Sequence, residues 1–171
     1  MKDSADLYQK IILEHSENPR NHIILKKYTH FAVKNNPLCG DTCDVYVQLN
    51  ENTLDMISCT AVGCILCKSS GSLMTEIVKG CTVEESQKIV DTLHSLLLED
   101  APPSGMDFHC PRMGRCRTRH GCRKCGHICH IKNKIGILLE VKKYPIRIPC
   151  VLLPWQALQL ALSTSKNVAK I

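Results

Sequence analysis

Three cysteines in this chain stand where a metal or a sulfur atom could be handled: Cys39 in Asn36-Pro37-Leu38-Cys39-Gly40-Asp41, Cys64 after Gly63, and Cys150 before the last apolar run. Cys39 and Asp41 are two residues apart with Gly40 between them, so a tight loop can turn both side chains toward one ion. With Cys64 and Cys150 they make a set of three sulfur ligands and one oxygen. Three thiolates and a carboxylate suit tetrahedral zinc. The carboxylate is the harder partner and the ligand most readily exchanged, so such a site is closed yet able to open. Metal also keeps thiols deprotonated, and the thiolate is the form that attacks sulfur. The set could accept sulfur, hold an iron–sulfur cluster, or do both in turn.

A second concentration of ligands runs from His109 to His130, HCPRMGRCRTRHGCRKCGHICH. Cys122-x2-Cys125 is a metal knuckle, Cys129 and His130 follow at usable distance, and Cys110 and Cys116 could close a tetrahedral site. The segment 105–133 has few large apolar side chains, so it orders only if metal supplies the folding energy. It also holds the chain's basic character. Between Gly105 and Lys134 there are eight Lys/Arg against one acid, Asp107, while the whole chain carries a net +6. The remainder is therefore close to neutral, and a pI near 8.7 says little about a nucleic-acid-binding face on the main body. A zinc-dependent nucleic-acid-binding or protein-docking module in this segment is the alternative reading. Its spacing lacks the regular two-Cys, two-His pattern, and Phe108 is its one aromatic residue, so nucleic acid is not the expected partner.

The other sulfurs and imidazoles read as structural. Cys43, Cys59, Cys67 and Cys81 suit small buried hydrophobes, with Cys43 and Cys67 near enough to the first set in sequence to serve as an extra sulfur relay. His15, His22, His30 and His94 have no ligand-type neighbour at metal spacing. Twelve cysteines with no signal-peptide pattern at the N-terminus point to a reducing, cytoplasmic setting, and no apolar run suggests a membrane span.

These side chains need a scaffold, and 171 residues can bury one core. Leu7, Tyr8, Ile11, Ile12 and His15 recur at helical spacing before Asn18-Pro19-Arg20-Asn21 ends the run. Val45, Val47 and Leu49 alternate with polar neighbours, Asn50-Glu51-Asn52 turns, and Leu54, Ile57, Cys59 and Ala61 continue a hairpin. A helix over 65–79 follows, weakened at Gly71, and Thr82-x-x-Glu85 is a capping box opening another. After the break at 101–105 and the basic segment, 135–141 suits a short helix, 144–150 an extended loop, and 153–164 a final helix opened by Pro154. The order predicts an α+β fold, a single domain over 1–171, with 105–133 inserted in it.

The chain resembles the scaffold and sulfur-carrier proteins of iron–sulfur cluster assembly, the NifU N-terminal / IscU / SufU family. The resemblance rests on Leu7-Tyr8, Asn18-Pro19-Arg20-Asn21, Pro37-Leu38-Cys39-Gly40-Asp41, Gly63-Cys64, and Tyr144-Pro145-Ile146-Arg147-Ile148-Pro149-Cys150 with Leu153-Pro154-Trp155. Pro149 before the third cysteine, Arg147 and the long stretch after Cys64 are similar to the SufU branch. The resemblance implies a small three-stranded antiparallel sheet packed with about five helices. It implies zinc on Cys39, Asp41, Cys64 and Cys150, and a transient iron–sulfur cluster. It further implies a pyridoxal-phosphate cysteine desulfurase that passes a persulfide to Cys39, with Cys150 as the competing acceptor, and cluster-assembly proteins that receive the sulfur. Arg147 would support the site or meet the partner. At most this is a zinc-dependent sulfurtransferase.

Overall fold

The computed structural model describes residues 3–98 and 133–164. The segment carrying Cys110, Cys116, Cys122, Cys125, Cys129 and His130 lies outside the described residues, as does most of the 105–133 insertion.

Helix α1 spans Asp3–Glu17 and ends at the Asn-Pro-Arg-Asn turn, where Asn21 takes φ 51°. Strands β1 (His30–Asn35), β2 (Thr42–Asn50) and β3 (Thr53–Val62) form an antiparallel sheet in sequence order. Helix α2 covers Ile65–Val78, α3 Val83–Leu98, α4 residues 133–139 and α5 Ile148–Ser163, with 3-10 turns at Glu140–Lys143 and Pro145–Arg147. The described residues thus hold the α+β architecture expected, with three strands and five helices.

The sheet follows from its alternation. Cys43, Val45 and Val47 on β2, and Ile57, Cys59 and Ala61 on β3, are buried on the face that meets α2 and α5. α1 packs on α2, and α3 on α5. On the other face Tyr46 is shielded by Tyr28 and Phe31, with ring centroids 4.7–5.7 Å apart among the three. Strand β1 carries no alternating signal, because only Ala32 of its residues is buried. The capping box is real: Glu85 N–H donates to Thr82 Oγ1 at 3.2 Å, and Thr82 N–H to the Glu85 carboxylate at 2.9 Å.

The end of the chain departs from the expectation. Residues 144–150 are not an extended loop; they make a 3-10 turn and the first turn of α5, which starts at Ile148 rather than 153. Pro149 takes the first-turn position, where a missing N–H costs nothing, and Pro154 sits inside the helix. The stretch Pro145–Ser163 also reaches the length and apolarity of a membrane span, 19 residues at mean hydropathy 1.2. That apolarity serves the core: Val151, Leu152, Trp155 and Leu158 are buried against the sheet and α2.

Buried polar contacts fix how the helices sit. Ser70 on α2 donates to the Val151 carbonyl at 2.7 Å and accepts from Trp155 Nε1 at 3.0 Å, tying α2 to the first turns of α5. Ser72 accepts from the Arg20 N–H at 2.8 Å and is paired with His15 Nδ1 at 2.8 Å, pinning the end of α1 to the middle of α2. Lys134 forms an ion pair with Glu76, joining α4 to α2.

Candidate metal centre

Cys39, Asp41, Cys64 and Cys150 come from three places that the fold brings to one end of the molecule. The first two belong to the turn between β1 and β2. Asn36 closes it: its N–H donates to the Asp41 carbonyl, its own carbonyl accepts from Gly40 N–H, both at 2.8 Å, and its Oδ1 accepts from Leu38 N–H at 3.1 Å. Gly40 takes φ 73°, a left-handed conformation that costs a glycine little. The turn leaves Cys39 exposed and Asp41 only 3% exposed.

Cys64 ends the β3–α2 connection. Its N–H donates to Asp41 Oδ1 at 3.0 Å, and Gly63 at φ 149° lies so close to the Asp41 carboxylate that a Cβ there would collide with it. Cys150 lies buried in the first turn of α5. Among the described residues, one group has metal-ligand atoms all within 4.8 Å of one another: Cys39, Asp41 and Cys150. Cys39 Sγ and Cys150 Sγ are 3.8 Å apart. Three of the four expected ligands are therefore gathered, and Cys64 flanks them through Asp41 rather than belonging to the 4.8 Å group.

The electrostatics show what the cluster lacks. Asp41 Oδ2 is buried with no hydrogen-bond partner. Burial alone would raise the Asp41 carboxyl, but the Cys64 thiol and N–H, followed by the Cys39 and Cys150 thiols, outweigh it and hold the carboxyl below its ordinary value. Burial, then Cys64 and Cys39, push the Cys150 thiol up to about 12. Burial also raises Cys64; the Cys67 N–H pulls it back and the Asp41 carboxylate adds to the rise. An orphaned carboxylate oxygen facing three thiols is a donor set short of a cation, so the residues fit zinc, with soft sulfur and one oxygen.

Arg147 is exposed and lines, with Tyr8, Ile12, Cys64, Ile65 and Tyr144, a cavity of about 450 Å³ that opens beside Cys64. Leu38, Val62, Ile65, Tyr144 and Ile146, each within a few residues of one of the four ligands in sequence, are exposed apolar side chains, Leu38 and Ile146 at 88% and 86%. That rim had no signal in the sequence, since exposed and buried apolar residues look alike there.

The other described thiols and imidazoles lie apart from the metal-ligand group. Cys43, Cys59, Cys67 and Cys81 are buried. His22 Nε2 accepts from Ala61 N–H at 3.2 Å, and His15 is buried beside Ser72.

The chain is similar in sequence and fold to known proteins. A family profile described as the NifU-like N terminal domain matches residues 7–128. The chain is 29% identical over 141 residues to the iron-sulfur cluster assembly scaffold protein IscU 1 of Archaeoglobus fulgidus, covering 80% of this chain and 90% of that one. It is 26% identical to the zinc-dependent sulfurtransferase SufU of Bacillus subtilis, over 96% of this chain and 90% of the relative. A solved structure from Fervidobacterium islandicum, a candidate scaffold of the SUF system, superposes with a TM-score of 0.71 at 21% identity, covering 94% of this chain and 99% of that one, and so shares the fold.

Proposed function

The chain belongs to the NifU-like N-terminal domain family, and we propose that it serves iron–sulfur cluster assembly by accepting persulfide sulfur at Cys39 and passing sulfur or a nascent cluster onward. The observation that carries this reading is the contrast within the cluster: Cys39 is exposed on its turn, while Cys150, 3.8 Å away, is 2% exposed. An incoming protein reaches Cys39 first.

Cys39, Asp41, Cys64 and Cys150 would hold zinc, which when bound keeps these thiols in the reactive thiolate form. The chain's own residues do the rest. Asp41 is anchored by the Cys64 N–H and wedged against Gly63, so one oxygen is fixed and the other is free to be surrendered. Cys39 rides a turn whose Gly40 has open space around it, so the thiol can move outward without displacing the core. The transfer is an exchange: the Cys39 sulfur bonds to the outer sulfur of a persulfide on a cysteine desulfurase, the donor's S–S bond breaks, and the donor keeps its cysteine as thiolate. The apolar rim of Leu38, Val62, Ile65, Tyr144 and Ile146, with Arg147 beside it, is the surface such a partner would cover. Iron and the cluster are cargo on this reading.

The test is mass spectrometry of the zinc-loaded chain after incubation with a cysteine desulfurase and cysteine. A gain of one sulfur on Cys39, lost in Cys39→Ser, together with stimulated desulfurase turnover, is expected. Sulfur appearing on Cys150 with Cys39 unchanged would sink the assignment, and a chain that neither binds zinc nor stimulates turnover would sink the function.

A further inference from the structure

Directly behind the cluster lies a second pair of sulfurs. The register of β2 against β3 sets Cys43 opposite Ala61 and Val45 opposite Cys59, so Cys43 and Cys59 are diagonal neighbours on the helix-facing side of the sheet. Asp41 precedes Cys43 on the same side, with Gly63 beside it, so the pair occupies the next layer inward from the metal ligands. Cys43 Sγ and Cys59 Sγ are 3.1 Å apart, about 1 Å beyond the length of a disulfide bond. They are 0% and 2% exposed, and each is the other's hydrogen-bond partner. Helix α2 makes room for them: a Cβ on Gly71 would come within 2.7 Å of Cys59 Sγ. Cys67 belongs to the same buried cluster, and Cys64 packs against it. Cys67 feels the charges of Cys43, Asp41, Cys64 and Cys150, which sets its sulfur between the half-buried ligand Cys64 and the fully buried dithiol.

We propose that Cys43 and Cys59 are an internal two-electron donor that reduces sulfane sulfur delivered at the neighbouring site and releases it as sulfide, an inference resting on the persulfide reading above. Sulfane sulfur needs two electrons to become sulfide. Cys39, Cys64 and Cys150 can give them only by ceasing to be ligands, whereas the buried pair is uncommitted. Sulfur delivered at Cys39 reaches Cys64 by the same thiol exchange, which returns Cys39 to its thiol. In the first exchange at the pair, the Cys43 sulfur bonds to the outer sulfur of the Cys64 persulfide, and Cys64 regains its thiol by taking the Cys43 proton. In the second, the Cys59 sulfur bonds to Cys43 Sγ, and the bond from Cys43 to the outer sulfur breaks. The leaving hydrosulfide takes the Cys59 proton. In sum, one persulfide and two thiols become one thiol, one disulfide and one hydrogen sulfide; the two thiols are oxidised and the outer sulfur is reduced. An external thiol reductant then restores the pair. The 3.1 Å contact is the geometry that the second exchange requires.

The experiment uses the full chain, zinc-loaded and anaerobic, with a desulfurase pre-charged with persulfide and freed of cysteine, so that no outside thiol supplies electrons. Released sulfide is trapped, and Cys43 and Cys59 are mapped by alkylation and mass spectrometry. About one sulfide per chain is expected, with Cys43 and Cys59 recovered joined. Cys59→Ser, checked for folding by circular dichroism, should keep the transferred sulfur and lose sulfide release. Gly71→Ala removes no thiol but displaces the Cys59 sulfur; it should load normally and release sulfide several-fold more slowly. A chain that loads sulfur yet retains Cys43 and Cys59 as free thiols overturns the inference alone. A chain that takes up no sulfur overturns the persulfide reading. A parallel treatment of the native chain with diamide bears on the pair without any persulfide: failure to join Cys43 to Cys59 counts against it.

Discussion

At the scale of single residues, burial keeps the Cys64 and Cys150 thiols protonated around a carboxylate that Cys64, Cys39 and Cys150 hold ionised. Cys64 and Cys150 are both raised, the latter to about 12, so at neutral pH both are protonated without metal. Zinc must displace those protons, and binding should release about two or more per ion. Affinity should then weaken steeply as pH falls, by about 100-fold per unit if two protons are exchanged. Calorimetric titrations in buffers of different ionisation enthalpy would show this; proton-independent binding would place the metal elsewhere. Asp41→Ala removes the oxygen ligand and should cost more than the roughly 10- to 100-fold lost with an outer partner.

At the scale of elements, the site depends on two junctions. The β3–α2 connection holds Asp41 through Gly63, where φ 149° and contact with the carboxylate both exclude a side chain. Gly63→Ala should abolish metal binding by displacing Asp41, in addition to backbone strain of about 1–3 kcal/mol. Gly80 provides the control: it has φ 79° but open space, so Gly80→Ala should cost similar stability and leave metal binding intact. The second junction is Ser70, which ties α2 to the turn carrying Cys150. Ser70→Ala leaves the buried Trp155 indole N–H unpaired and should destabilise the fold by about 1–3 kcal/mol. Urea unfolding would measure it. The hairpin, α2, the capping box and the end of α1 were legible in sequence because one face of each is buried and the spacing shows it. Strand β1 was not, having one buried residue, nor was the first turn of α5, where Pro149 read as part of an extended loop and Pro154 as the helix's opening, although Pro149 fills a first-turn position and Pro154 is held inside the packed helix.

At the scale of the whole molecule, the core is rich in thiols, and this gives it a pH limit. Burial pushes the Cys81 thiol up to about 11 and Cys150 to about 12, and raises Cys67; contact with Cys59 together with burial raises Cys43. Each folded value lies above the ordinary 9.0, so the unfolded chain loses its protons first as pH rises. The metal-free fold should therefore hold its stability below about pH 9 and lose it through pH 11 to 12, by at least about 1 kcal/mol at pH 10. Denaturant midpoints measured at pH 7, 9 and 10 would check it. Zinc should offset the Cys150 part of this loss by binding its thiolate, and leave the part from Cys81, Cys67 and Cys43. Deleting 105–133 should leave the metal on Cys39, Asp41, Cys64 and Cys150 unchanged.

The sequence by itself determined the candidate ligand residues, the Cys39-Gly40-Asp41 turn, the α+β order and the family, because each rests on local spacing or on a run of residues read in order. Only the tertiary structure decided which ligands share a centre, which of them faces solvent, and that Cys43 meets Cys59. Those facts depend on strand register and helix placement, which bring residues up to 111 positions apart within 3.8 Å and which no local pattern encodes.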